Sequence, residues 1–75
     1  MNLTKENNID HKLFGKYAKY FPPKKHRCAD VLYWRMKGVT LREIADILKV
    51  TKERVRQMEA WGVEYIRGLE SQNRH

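Results

Sequence analysis

With 75 residues, the chain can hold one domain and one modest core, and it has no room for several. A formal net charge of +7 narrows its partners to nucleic acid, an anionic membrane surface or an acidic protein face. Cys28 is the single cysteine, and His11, His26 and His75 are scattered, which excludes a disulfide framework and argues against a metal site or cofactor.

Residues 1–8 read as a flexible lead-in, polar and acid-containing, and not as a secretory leader. The apolar runs are far too short for a membrane span, so a cytoplasmic protein with no membrane partner is expected. From residue 9 to 21, Ile9, Leu13, Tyr17, Tyr20 and Phe21 recur at helical spacing, with Asn8 as N-cap and Asp10 in the first turn. Pro22-Pro23 ends that helix. A support helix is predicted over residues 27–37, with Ala29, Leu32, Tyr33 and Met36 on one face and Gly38 at its end. Thr40 and Glu43 have the spacing of a capping box that opens a helix over 40–48, where Leu41, Ile44, Ala45 and Leu48 form a stripe. Thr51 caps a last helix over 52–69, which buries Val55, Met58, Gly62, Ile66 and Leu69, and residues 71–75 are a tail. The result is an all-α chain of about four helices, in which the last two make a helix-turn-helix.

Charge is placed unevenly on this frame. Residues 22–40 hold five basic residues against Asp30 alone, while residues 41–75 hold seven against six acids. On a helical wheel Glu53, Arg56, Gln57 and Ala60 lie opposite the apolar stripe, with Lys52 at their edge and Arg54 and Trp61 on a flank. Arg, Gln and Glu can read guanine, adenine and the cytosine amine respectively in a major groove. The same pattern also fits a solvated face of alternating charge. Lys24, Lys25 and Arg27 form either a phosphate-facing cluster or a solubilising run. Trp61 and Tyr65, one turn apart, make a second stripe that either receives the N-terminal helix or serves as a partner surface. Tyr33 and Trp34 raise the same choice, and Cys28 reads as a small buried residue. No catalytic constellation and no Gly-rich phosphate loop is present, so neither an enzyme nor a small-molecule substrate is expected.

The stretch VTLREIADILKVTKERVRQMEAWGVEYIRGLE, Val39 to Glu70, resembles domain four of the housekeeping sigma factors, the promoter-recognition subunits of bacterial RNA polymerase. TKERVRQME follows the family's recognition helix position by position, with Lys52 for Arg and Met58 for Ile, and CADVLYWRMKGVTL resembles the helix and turn before it. The resemblance implies a free-standing sigma domain-four-like protein that binds double-stranded DNA at a promoter or operator. By position, Lys52, Glu53, Arg56 and Gln57 would face bases. Arg42, Thr51 and Arg54, joined by Lys24, Lys25 and Arg27, would hold the backbone.

Three departures stand out. Lys49 replaces a common turn glycine and is expected in a left-handed conformation. Gly62 in mid-helix implies a close neighbour. Trp61 and Glu64 replace basic residues. The function expected is a sequence-specific regulator of transcription, bacterial or phage. The alternative is a module that binds RNA polymerase core by mimicking or displacing sigma domain four, and a dimeric operator-binding regulator is a third reading.

Overall fold

The computed structural model describes residues 11–72, with side chains from residue 14 onward. The lead-in 1–8, the cap at Asn8, Ile9, Asp10, the side chain of Leu13 and residues 73–75 lie outside the described residues. Four helices follow one another among the described residues: α1 (His11–Tyr17), α2 (His26–Met36), α3 (Leu41–Leu48) and α4 (Lys52–Gln72). The fold is all-α, a helix-turn-helix with no strand among the described residues. No described helix is long and apolar enough to cross a membrane.

The expected helix over 9–21 is shorter, because α1 stops at Tyr17 and tightens into a 3-10 turn, Ala18–Tyr20. The two prolines act further upstream than their own positions. Phe21 precedes Pro22 and is forced to an extended backbone (φ −62°, ψ 135°), and Pro22 precedes Pro23 and is extended in turn (φ −60°, ψ 147°). Pro23 then opens a second 3-10 turn, Pro23–Lys25, that runs directly into α2. The extended Phe21–Pro22 pair is a strap that swings α1 back over α4 and turns the Phe21 ring into the core.

α2 starts at His26 and ends at Met36, one residue earlier at each end than the predicted 27–37. Gly38 takes φ +91°, and its N–H and that of Val39 close onto Arg35 O and Trp34 O, both at 3.0 Å. These two bonds satisfy carbonyls the helix leaves open, and the left-handed position suits a residue without Cβ. The buried face of α2 differs from the predicted one. Cys28, Val31 and Leu32 are buried, Ala29 and Met36 are half-buried, and Tyr33 is exposed with the Lys37 ammonium 5.4 Å over its ring. The reason is that α2 serves two neighbours. Cys28 and Leu32 join the cluster built with α1 and α4, while Val31 joins the one built with α3 and α4. Trp34 packs against that second cluster, so of the two adjacent aromatics one turns inward and one outward.

At α3 the capping box forms. The Glu43 N–H donates to Thr40 Oγ1 (3.1 Å) and the Thr40 N–H donates to Glu43 Oε1 (2.9 Å). Lys49 ends the helix at φ 60°, ψ 46°, the left-handed conformation expected for it, and the Val50 N–H closes on Ala45 O. α4 extends to Gln72, so Ser71 and Gln72 belong to the helix and not to the predicted tail, and the helix outruns the expected 52–69 by three residues. Its buried residues are Val55, Glu59, Gly62, Val63 and Ile66, with Met58 and Leu69 half-buried. The stripe is wider than predicted because α1, α2 and α3 all pack on this one helix. Each fully buried aliphatic side chain, such as Ile44 or Ile66, stabilises the fold by about 1.5–3 kcal/mol. Gly62 is where α2 comes closest, since an ideal Cβ there would sit 2.9 Å from Leu32 Cδ1.

Candidate DNA interface

The start of α4 is organised by Thr51, whose Oγ1 accepts from the Arg54 N–H at 3.0 Å. The helix then turns Val55 fully inward, which puts Lys52, Glu53, Arg56 and Gln57 outside, all exposed on one surface. Glu53 and Arg56, one turn apart, form a two-pronged pair. Arg56 Nε donates to Oε1 at 2.9 Å and Nη2 donates to Oε2. The Arg56 hydrogen bond holds the Glu53 carboxyl below the usual carboxylate range, and Glu53 raises the guanidinium further. The pair fixes the guanidinium in the plane of a carboxylate while leaving its outer edge in solvent.

A second group of cations gathers beside this surface. The 3-10 turn and first turn of α2 bring Lys24, Lys25 and Arg27 to face Arg54 and Gln57 of α4 across a groove of about 380 Å³, with Trp61 as one wall. None of the described Asp or Glu residues lines the groove. Gln57 belongs both to the groove and to the exposed α4 surface, so the two areas are continuous. Arg42, in the first turn of α3, is exposed but lies outside the groove. The structure thus brings together eight of the ten residues proposed for DNA, while Thr51 serves as the helix cap and Arg42 stands apart.

Cys28 opens onto the groove but its side chain is buried. Burial pushes its thiol up, partly offset by the Lys25 and Arg54 charges, so it is held as a thiol, not a thiolate nucleophile. Trp61 and Tyr65 stack with centroids 5.0 Å apart at an interplanar angle of 11°. Phe21 meets them edge-on at 6.0 and 5.0 Å, and the Tyr65 hydroxyl donates to Tyr20 O at 2.8 Å. The strap after α1 therefore packs on this stripe. On its groove side Trp61 carries the Lys25 ammonium 5.1 Å from its ring centroid.

Two features escape a reading of the sequence alone. One is the contact between Lys25 and Trp61. The other is the buried pair of Glu59 and Arg35, with Arg35 Nε donating to Oε2 at 3.2 Å and Nη1 to Val39 O at 3.0 Å. The signal for the second was an acid one turn after Val55 and one turn before Gly62, on the stripe itself. A carboxylate there requires a cation from a neighbouring helix.

A short capped helix, a tight left-handed turn and a longer helix with polar residues outward at its start define a helix-turn-helix protein of the DNA-binding kind. Residues 26–68 match the family described as Sigma-70, region 4, and the chain belongs to that family. Membership marks it as a DNA-binding domain of transcription-related proteins, a non-enzymatic type of domain. Searches of curated proteins and of solved structures returned no match.

Proposed function

We propose that this protein is a sequence-specific regulator of transcription that inserts the first turns of α4 into the major groove of double-stranded DNA. Lys52, Glu53, Arg56 and Gln57 read base edges, and Lys24, Lys25, Arg27 and Arg54 grip the flanking backbone. Arg42, from the first turn of α3, and Thr51, at the start of α4, complete the phosphate contacts. The observation that carries this reading is the continuity of the exposed α4 surface with an acid-free cationic groove through Gln57. One area can supply discrimination and the other sequence-independent affinity.

Selection of binders from randomised duplex DNA, followed by affinity measurements across a salt series, tests it. Arg56→Ala is expected to relax preference at one base pair, by on the order of tenfold. Lys25→Ala is expected to weaken binding to all sequences and to reduce the salt slope by about one. Equal losses for both variants on every sequence would refute the division of labour. The rival reading, a module that binds RNA polymerase core at the sigma domain-four position, rests on the same motif and would use Trp61 and Tyr65 as its surface. Both are engaged by Phe21 and Tyr20, which leaves that reading with less support. Capture of polymerase core by a protein that shifts no DNA would reverse the order.

A further inference from the structure

We infer that Trp61 is a positioning residue for DNA binding: its ring holds the Lys25 ammonium at the mouth of the groove, ready for a backbone phosphate. The inference rests on the DNA-binding reading above and assigns Trp61 a part in it.

Several cations among the described residues are held either by a carboxylate or by an aromatic ring. Arg56 is fixed by Glu53, and Arg35 by Glu59; in each case the carboxylate that orients the cation also cancels its charge. Among the described residues, Lys25 has no carboxylate partner, and neither do Lys24, Arg27 or Arg54 beside it, because none of the described acids lines the groove. The Trp61 ring orients the Lys25 ammonium through its quadrupole, which attracts a cation without neutralising it. An ammonium has three N–H donors, and a π face leaves donors free for phosphate oxygens. A lysine on a flexible four-carbon stem would otherwise be ordered only when DNA arrives, and that ordering opposes binding.

The ring itself is fixed. Tyr65 stacks on it, Phe21 abuts both rings edge-on, and the Tyr65 hydroxyl is tied to Tyr20 O at 2.8 Å. The indole is thus engaged by a ring and an ammonium, and the cation it holds suits the groove to a phosphodiester.

The test uses the full chain, duplex DNA of the selected sequence and an unrelated duplex, with Trp61→Leu, Trp61→Phe, Lys25→Ala and the Trp61→Leu/Lys25→Ala double variant. Trp61→Leu is expected to weaken binding to both duplexes by about two- to fivefold. Trp61→Phe, which keeps a π face, should recover most of that loss. In the Lys25→Ala background, Trp61→Leu should have no further effect. Equal losses from Trp61→Leu with and without Lys25 would overturn the inference, since Trp61 would then act through the fold. So would a loss confined to the selected duplex, or no loss at all. Thermal melting of each variant separates a folding defect from a binding defect. Should Trp61→Leu fail to fold, the NMR ring-current shift of the Lys25 side-chain methylene protons in the wild-type protein carries the test, and its absence would overturn the inference. Wild-type protein that binds neither duplex would overturn the function itself. Wild-type binding with additive variants would overturn only the role of Trp61.

Discussion

α4 carries two glutamates that each hold an arginine, and the two pairs do different work. Glu53 and Arg56 are both more than half exposed and belong to the same helix, three residues apart. Glu59 meets Arg35 across the α2–α4 contact, with side-chain exposures of only 9% and 14%. The outer pair adds little to folding, because water and salt screen it, yet it sets the direction of a guanidinium on the surface proposed to meet DNA. The inner pair ties two helices in one register, with Arg35 also donating to Val39 O at the end of α2. Similar chemistry therefore gives orientation on one face of α4 and helix registry on the other, and local exposure decides which.

Substitutions can break this contrast or make it sharper. The largest effect is expected at Glu59: Glu59→Ala leaves the Arg35 charge enclosed without its carboxylate and should destabilise the fold by about 3 kcal/mol in chemical denaturation. Replacing both partners by apolar residues of similar size, Glu59→Leu with Arg35→Met, should recover much of that loss. A double variant as unstable as Glu59→Ala alone would show that the inner pair contributes more than mutual compensation. Next is Gly62→Ala, also on the inner face. Alanine gains about 1 kcal/mol in helix propensity, but its Cβ would press on Leu32, which is fully buried, at a cost of about 1–3 kcal/mol. A net loss of about 1 kcal/mol is expected, and an increase in stability would mean that α2 yields more easily than its packing implies.

The smallest effect on stability is expected at the outer pair, where Glu53→Gln should leave the melting temperature at neutral pH almost unchanged. Its signature is in acid instead. The Glu53 carboxyl is held below its ordinary value in the folded state, so the stability it adds is present above the ordinary carboxylate range. That contribution disappears as pH falls through the depressed folded value. Glu53→Gln should therefore flatten a small part of the acid limb, which an NMR titration of the Glu53 carboxyl would follow directly. A Glu53 carboxyl that titrates at the usual value would show that the pair with Arg56 does not persist in solution.

Much of this was legible in the residues because it depends on local spacing. Thr40 and Glu43 announce their reciprocal bonds by a three-residue interval, and Lys49 stands where the turn requires a left-handed backbone. The outward set at the start of α4 follows from the helical repeat once Val55 is placed inside. Features that need two distant segments were not legible. Arg35 and Glu59 are 24 residues apart, and their meeting depends on how α2 lies across α4. The groove exists only because the turn before α2 meets the side of α4, so Lys25 and Trp61 cannot be paired from either stretch alone. Helical spacing puts Tyr33 on one stripe with Ala29, Leu32 and Met36, whereas α2 packs on two neighbours and buries Val31 in its place. Pro22 takes Phe21 out of helical geometry, which ends the helical spacing at that residue, but nothing in the sequence marks the change at Tyr17 from α-helix to the 3-10 turn Ala18–Tyr20.

The match to the family begins at residue 26, where α2 also begins, yet the first core cluster draws Tyr17 and Phe21 from the chain before it. The unit of ancestry and the unit of folding thus have different boundaries. A fragment cut at the family boundary would keep α4 but uncover Val63, Ile66 and the Trp61–Tyr65 stack, which Tyr17 and Phe21 now help to cover. Such a fragment is expected to self-associate through that bared surface, so any minimal version of this domain has to retain α1 and the Phe21–Pro22 strap.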